Sequence, residues 1–264
     1  MPHEDVDGGR LYYEELGEGQ PILCIHGTGS AGYVWSEAAE KLGELGRAIV
    51  YDRRGFTRSP RPEPVDVTTV REHTDDAYEL LRALDASPAV VVGRSYGGGV
   101  ALDLALRYPD AVSALVLLEA VPVGLSPEAD AWLASFTETI ERAATERGVH
   151  VVGETLLREA LGEWDGLPAD LRELFTANSQ AILAETRGGE LAVDGARLRT
   201  ISAPTLLVSA EDSPAAFRAV TDALAEEIPG ARAERVGGGH LIDPADPVVL
   251  EFVSEVLSRE QDRA

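Results

Sequence analysis

The chain has 264 residues, 44% of them apolar, and a formal net charge of −23 at pH 7. That length and apolar content suit one large domain, or one domain carrying an insertion. So acidic a surface repels phosphate backbones and anionic lipid, which argues against nucleic-acid or membrane-surface partners and leaves a small molecule as the expected ligand.

Apolar runs at 11–16, 21–25, 47–52, 89–93, 113–119, 204–209 and 231–236 read as strands. Several are apolar nearly throughout, as in a parallel sheet covered on both faces. Helical periodicity marks 34–45, 69–85, 96–107, 214–228 and 246–259 between them. This alternation defines an α/β class with right-handed crossovers. The rhythm breaks over 122–200, where helical patterns at 127–147, 150–161 and 168–187 follow one another without a strand. Pro122, Pro127, Pro168 and the Gly188–Gly189 pair punctuate that stretch,. It reads as a helical insertion, with 1–121 and 201–264 as the core around it.

The first ten residues, MPHEDVDGGR, hold no apolar stretch, and His3 is expected in a frayed terminus. No run approaches the ~20 apolar residues of a membrane span, so a cytoplasmic protein is the expectation. A homodimer is left open. Cys24, the single cysteine, lies in the apolar run PILCI and reads as a small buried hydrophobe rather than a reactive thiol,.

The chemistry starts in VVVGRSYGGG, 90–99, where Gly93-x-Ser95-x-Gly97 joins an apolar strand to a helical pattern. In that context a serine sits on a tight turn, and the glycines are needed because side chains would clash there. The helix behind it aims its positive N-terminal end at the site, which favours an anionic intermediate. Ser95 is therefore the candidate nucleophile. A serine hydroxyl needs a neighbouring base, and His240, in RVGGGHLIDP after the last strand, is the histidine a flexible glycine loop can return to it. His73 and His150 fall in helical patterns and read as surface residues. Backbone N–H groups of Tyr96, following the nucleophile, and of Thr28, in HGTGS after a buried strand, are the candidate oxyanion donors,. His26 reads as a structural brace for that loop.

These motifs together resemble the α/β-hydrolase fold family: HGTGS at 26–30, YDRRGFTRS at 51–59, GRSYGG at 93–98, the APT-led strand at 203, and GGGHL with Pro247 downstream. The resemblance implies a mostly parallel central sheet with helices on both faces, and a helical cap over 122–200. Thr57 departs from a position where the family often has glycine. The family usually supplies its acid after the strand that here is PTLLVS, but the aligned position is Ser213, with Asp212 one residue early and Glu211 two. Neighbouring side chains at a strand end point opposite ways, which counts against Asp212 without eliminating it. Glu119, ending the run SALVLLE, is the other candidate, since some members take their acid from this earlier strand. Both stay open, with Glu119 preferred.

The implied activity is a serine hydrolase that needs no metal or organic cofactor and cleaves an ester, lactone or thioester through an acyl-enzyme. A carbon–carbon bond hydrolase or an acyl-transfer cyclase would use the same groups, and a non-catalytic receptor could keep the scaffold. Tyr33 and Trp35, beside the oxyanion loop, are expected to line an apolar substrate pocket. Among Trp132, Phe136, Trp164 and Phe175, most are expected to pack the insertion and some to face a ligand.

Overall fold

Each apolar run becomes a strand, and one more precedes them. The computed structural model describes residues 2–59, 61, 65–162 and 164–261. Its strands are β1 His3–Val6, β2 Gly9–Leu16, β3 Pro21–Ile25, β4 Arg47–Tyr51, β5 Ala89–Arg94, β6 Val112–Leu118, β7 Thr205–Ala210 and β8 Arg232–Val236. They form one eight-stranded sheet in the order β1-β2-β4-β3-β5-β6-β7-β8. β1 and β2 run antiparallel at one edge, and the pairs from β4 to β8 are parallel. His3 thus lies in an edge strand opposite Tyr12, its ring edge-on to the tyrosine at 5.2 Å, not in a frayed end. HEDV offers one apolar residue to a periodicity search, and only pairing with β2 makes it a strand.

The helices are α1 Ser36–Gly43, α2 Val70–Ala83, α3 Tyr96–Arg107, α4 Pro127–Arg147, α5 Val152–Thr155, α6 Ala169–Ala177, α7 Ser179–Gly188, α8 Gly195–Leu198, α9 Ala215–Glu227 and α10 Pro247–Gln261. Alternation along each strand splits the core into two layers. Leu23, Ile25 and Val91 pack with α2, α3 and α9 on one face, whereas Ile22, Cys24, Val90 and Val92 pack with α1 and α10 on the other. Cys24 is buried, and burial pushes its thiol up to about 12. α2 starts on a capping sequence, the Thr69 hydroxyl accepting from the Glu72 N–H at 3.2 Å,.

Between β6 and β7 the helices α4 to α8 follow in succession, and the stretch from α4 to α7 builds a core of its own from Ile140, Val152, Leu157, Trp164, Phe175 and Ile182. Two expected helices are broken there. The first is a 3-10 turn, the short α5 and a π-helical turn Leu156–Ala160. The second divides at Asn178, whose side-chain amide turns away to donate to Gly29 O at 2.9 Å. His73 is a correction of another kind: it is fully buried on α2, on the same stripe as Val70, Thr74, Ala77 and Leu81. A polar ring on an apolar stripe needs a buried partner, and that partner is on α7. His150 is exposed, as expected. No helix among the described residues is long and apolar enough to cross a membrane.

Candidate active site

β5 ends at Arg94 and α3 begins at Tyr96, so Ser95 alone makes the turn, with φ 55° and ψ −124°. Such a backbone costs a residue with a Cβ about 1–3 kcal/mol. Close packing imposes it: a Cβ on Gly97 would lie 2.4 Å from the carbonyl oxygens of Ile25 and His26, and one on Gly93 would lie 2.4 Å from Gly97 O. The Ser95 N–H donates to Leu118 O at 2.9 Å, and its carbonyl accepts from the Gly98 N–H at 2.8 Å.

β5 and β6 pair with Arg94 opposite Leu118, so the next residues, Ser95 and Glu119, stand side by side beyond the strand ends. Glu119 is fully buried and also has positive φ, 46°. Its N–H donates to Val208 O at 2.9 Å, which extends the β6–β7 ladder by one step. Oε1 accepts from the Ala210 N–H at 2.8 Å; Oε2 accepts from Ser213 Oγ at 2.8 Å and lies 2.6 Å from His240 Nδ1. This set of donors offsets the desolvation of a buried carboxylate. Asp212 is exposed and contributes its backbone N–H to Gly238 O at 2.9 Å. Of the two candidate acids, the fold brings Glu119 to the imidazole and leaves Asp212 outside.

His240 follows β8 on the glycine loop and is 4% exposed. Its ring stacks on Phe217 of α9, with centroids 4.1 Å apart, and Trp132 of α4 meets that phenylalanine edge-on at 5.2 Å. An Arg94 guanidinium nitrogen donates to Ile242 O at 3.1 Å and ties the histidine loop to the turn at Ser95. Nδ1 is the ring nitrogen directed at the carboxylate, and Nε2 lies on the opposite side of the ring. Ser95 and His240 line the same cavity, beside Thr28 and Tyr96.

The loop carrying Thr28 is held from both sides. His26 Nε2 accepts from the Arg53 N–H at 2.9 Å and its Nδ1 donates to Gly27 O at 2.8 Å. Burial, then the Arg53 charge, holds His26 down at about 3, so the ring is a neutral brace. From the helical insertion, the Phe175 ring packs so closely on Gly29 (φ 77°) that a Cβ there would lie 2.4 Å from it. Thr28 Oγ1 donates to Glu185 Oε2 at 2.9 Å. Glu185, on α7, is buried and paired with the equally buried Arg53, and His73 Nε2 lies 2.8 Å from its Oε1. Burial alone would raise the Glu185 carboxyl, but Arg53 and His73 outweigh it and hold it at about 2. Burial and Arg53 lower His73 itself. The insertion thus reaches down through an ion pair to the loop that carries Thr28.

The cavity has a volume of about 270 Å³ and is lined mainly by apolar groups, among them Val121, Trp132, Phe136, Leu156 and Phe217. A second, smaller cavity of about 30 Å³ shares Ser95 and His240 with it and is also lined by Leu157 and Leu241. Tyr33 and Trp35 are not lining residues, and the expectation for them is corrected. Trp35 ends a 3-10 turn that drives its ring, 2% exposed, into the core layer of α1 and α10; Tyr33 is 40% exposed beside the Arg58 guanidinium. Their place is taken by Trp132 and Phe136 of α4 and Phe217 of α9, while Trp164 and Phe175 pack the interior of the insertion. Sequence reading missed Arg53, Glu185 and Phe217. The doubled arginine in YDRRG was a visible signal for a buried charge; nothing in the local pattern singled out the other two.

The sequence profile of the α/β hydrolase fold matches residues 20–242. The chain belongs to the α/β-hydrolase fold family. An uncharacterized hydrolase, YraK, of Bacillus subtilis is 34% identical to this family member over 111 residues, 42% of this chain and 41% of that protein. The match therefore spans less than half of that relative's length. A protein of Azorhizobium caulinodans, provisionally named a carbamate hydrolase, RutD, is 29% identical over 272 residues, covering 97% of this chain and 99% of the relative. Among solved structures, a thermophilic esterase from Thermogutta terrifontis superposes with a TM-score of 0.75 at 25% identity, covering 97% of this chain and 94% of that one. Thr57, where the family often has glycine, adopts a glycine-like φ of 41° at an exposed turn.

Proposed function

We propose that this α/β-hydrolase-fold protein is a serine hydrolase that cleaves an ester, lactone or thioester of a small to medium, mostly apolar substrate. The reading rests on one observation above others: a buried carboxylate 2.6 Å from His240 Nδ1, beside a serine held on a strained turn in the same cavity. The full-length likeness to a thermophilic esterase supports it. In the proposed mechanism His240 Nε2 takes the Ser95 hydroxyl proton as Oγ attacks the substrate carbonyl carbon. The tetrahedral oxyanion is held by the N–H groups of Thr28 and Tyr96. Collapse breaks the bond to the leaving group, which receives the proton from Nε2 and departs, leaving an acyl group on Oγ. Water then attacks that acyl group with His240 again as base, the acid is released, and Ser95 recovers its proton. Glu119 keeps the imidazole in the Nδ1–H tautomer and stabilises the imidazolium. The helical insertion serves as a cap that shields the intermediate from bulk water.

A fluorophosphonate probe tests the nucleophile. Wild-type protein is expected to label at Ser95, and Ser95→Ala is expected to lose both labelling and turnover of p-nitrophenyl esters. Carbamates belong in the same substrate panel, because the name of the full-length relative points to them and the same groups would attack their acyl carbon. Folded protein that neither labels nor turns over any ester, lactone, thioester or carbamate is a ligand receptor instead.

A further inference from the structure

We propose that Glu190 reads the substrate, and that the cavity selects ligands presenting an ammonium group while rejecting carboxylates. The proposal rests on the cavity beside Ser95 being the active site and adds the substrate class.

Glu190 lies where the insertion returns to the core. After α7 and Gly189, the Val123 N–H donates to Leu191 O at 2.9 Å and the Val193 N–H donates to Val123 O at 3.0 Å. The backbone on either side of the exit and return is thereby clamped, so the Glu190 carboxyl is presented from a fixed position. The residue lines the cavity and keeps partial exposure, yet its Oε2 is enclosed and has no hydrogen-bond partner among the described residues. A buried acceptor left unmet is unfavourable, and a ligand donor is the group that can meet it.

The charges around it define that donor. Glu185 of α7 lines the same cavity but is already engaged by Arg53, His73 and Thr28. Asp130 of α4 also lines the cavity, its carboxylate accepting the Gly124 N–H at 3.1 and 3.2 Å. Tyr96 and His240 face the same space. No lysine or arginine is among the described residues that line it. A carboxylate ligand would meet acids and no cation. An ammonium would meet Glu190, with Asp130 adding to the negative field, and the rings of Trp132 and Phe136 in the same wall suit a cation further,. The chain's net charge of −23 draws cations toward the protein from outside,.

Burial, together with Glu185, raises the Glu190 carboxyl to about 8, against the opposing pull of Arg53. In the empty cavity at neutral pH it therefore holds its proton. A bound ammonium favours the ionised carboxyl, so the proton leaves as the ion pair forms.

The test uses matched probes with full-length wild-type and Ser95→Ala protein: 4-phenylbutylammonium, 4-phenylbutanol and 4-phenylbutyrate, by isothermal titration. The ammonium is expected to bind at least tenfold more tightly than the carboxylate. At pH 7, titrations in buffers of different ionisation enthalpy are expected to show close to one proton released per ammonium bound, with the release gone above pH 9. Glu190→Gln, and Glu190→Leu as a second variant, are expected to cut the ammonium-over-alcohol preference at least fivefold and to abolish proton release. Equal or tighter binding of the carboxylate, proton release unchanged in both folded variants, or no binding of any probe would overturn the proposal. Selective ammonium binding by protein that no fluorophosphonate labels would sink the hydrolase reading and leave this one standing. Labelling and ester turnover without ammonium preference would do the reverse.

Discussion

Ser213 Oγ donates to the same Glu119 oxygen that faces His240 Nδ1, at 2.8 and 2.6 Å respectively. The hydroxyl occupies the position where the family usually carries its aspartate, and the buried carboxylate beside His240 comes from the end of the neighbouring strand. The two positions address one point in space from β6 and from the loop after β7. Moving the acid back is therefore a direct test. Glu119→Gln is expected to lower kcat by about 10³–10⁴, because the imidazole loses its tautomer control. Asp212→Asn should change little. Adding Ser213→Asp to Glu119→Ala should restore at least about tenfold over Glu119→Ala alone, as expected for coupled neighbours. The assignment of Glu119 fails if Asp212→Asn is the damaging substitution.

The turn at Ser95 has no room to spare. A methyl group at Gly97 would push against the Ile25 and His26 carbonyls, which are backbone atoms at and just beyond the end of β3 and cannot step aside. Gly97→Ala is expected to destabilise by about 3 kcal/mol and to abolish fluorophosphonate labelling in whatever fraction folds. Urea unfolding with the probe assay reads both, and a fully active, equally stable variant would contradict the close approach.

Arg53 and Glu185 form a buried ion pair across the junction of core and insertion. Breaking it from one side strands a charge. Glu185→Gln alone is expected to cost about 3–5 kcal/mol, whereas Arg53→Met with Glu185→Leu is expected to be near neutral in stability. Turnover should still fall in the double variant, because Thr28 loses its partner on α7. A double variant as unstable as the single one would show that the pair, rather than the stranded charge, carries the stability.

Three buried groups set opposing pH limits. His26 is held at about 3 against an ordinary 6.5, and Glu185 at about 2 against 4.5. Both folded values are depressed, so their contributions are present above the ordinary values and lost on acidification, from 6.5 downward for His26 and from 4.5 downward for Glu185,. Glu190 is raised from 4.5 to about 8, so its contribution is complete below 4.5 and lost as pH climbs through 8,. Glu190→Gln should therefore raise the melting temperature relative to wild type near pH 9 and leave it nearly unchanged near pH 5. The same shift at both pH values would contradict a buried, proton-bearing carboxyl.

Much of the candidate site was legible in the sequence alone. Ser95 and His240 stood out because a turn that tolerates only small neighbours, and a glycine loop carrying an imidazole after the last strand, leave local marks. Glu119 was legible only as one of two acids, since an acid ending an apolar run looks alike in both strands. The pocket was not legible. Tyr33 and Trp35 adjoin the oxyanion loop in sequence, but a single 3-10 turn sends Trp35 into the core. Trp132, Phe217 and Glu190 reach the cavity from distant segments.

Near-continuous apolar runs separated by helical stripes determined the α/β sheet, and short-range steric limits determined the turn at Ser95. Both depend on residues a few positions apart, so the order of amino acids suffices for them. Which carboxylate meets His240, which residues line the cavity and which histidine is buried depend on side chains far apart in the chain, Glu119 and His240 being 121 residues apart, that converge at the strand ends. Those contacts arise from strand register and from the way α4 and α7 lie over the sheet. Only the folded chain decides them, because burial and charge pairing act through space.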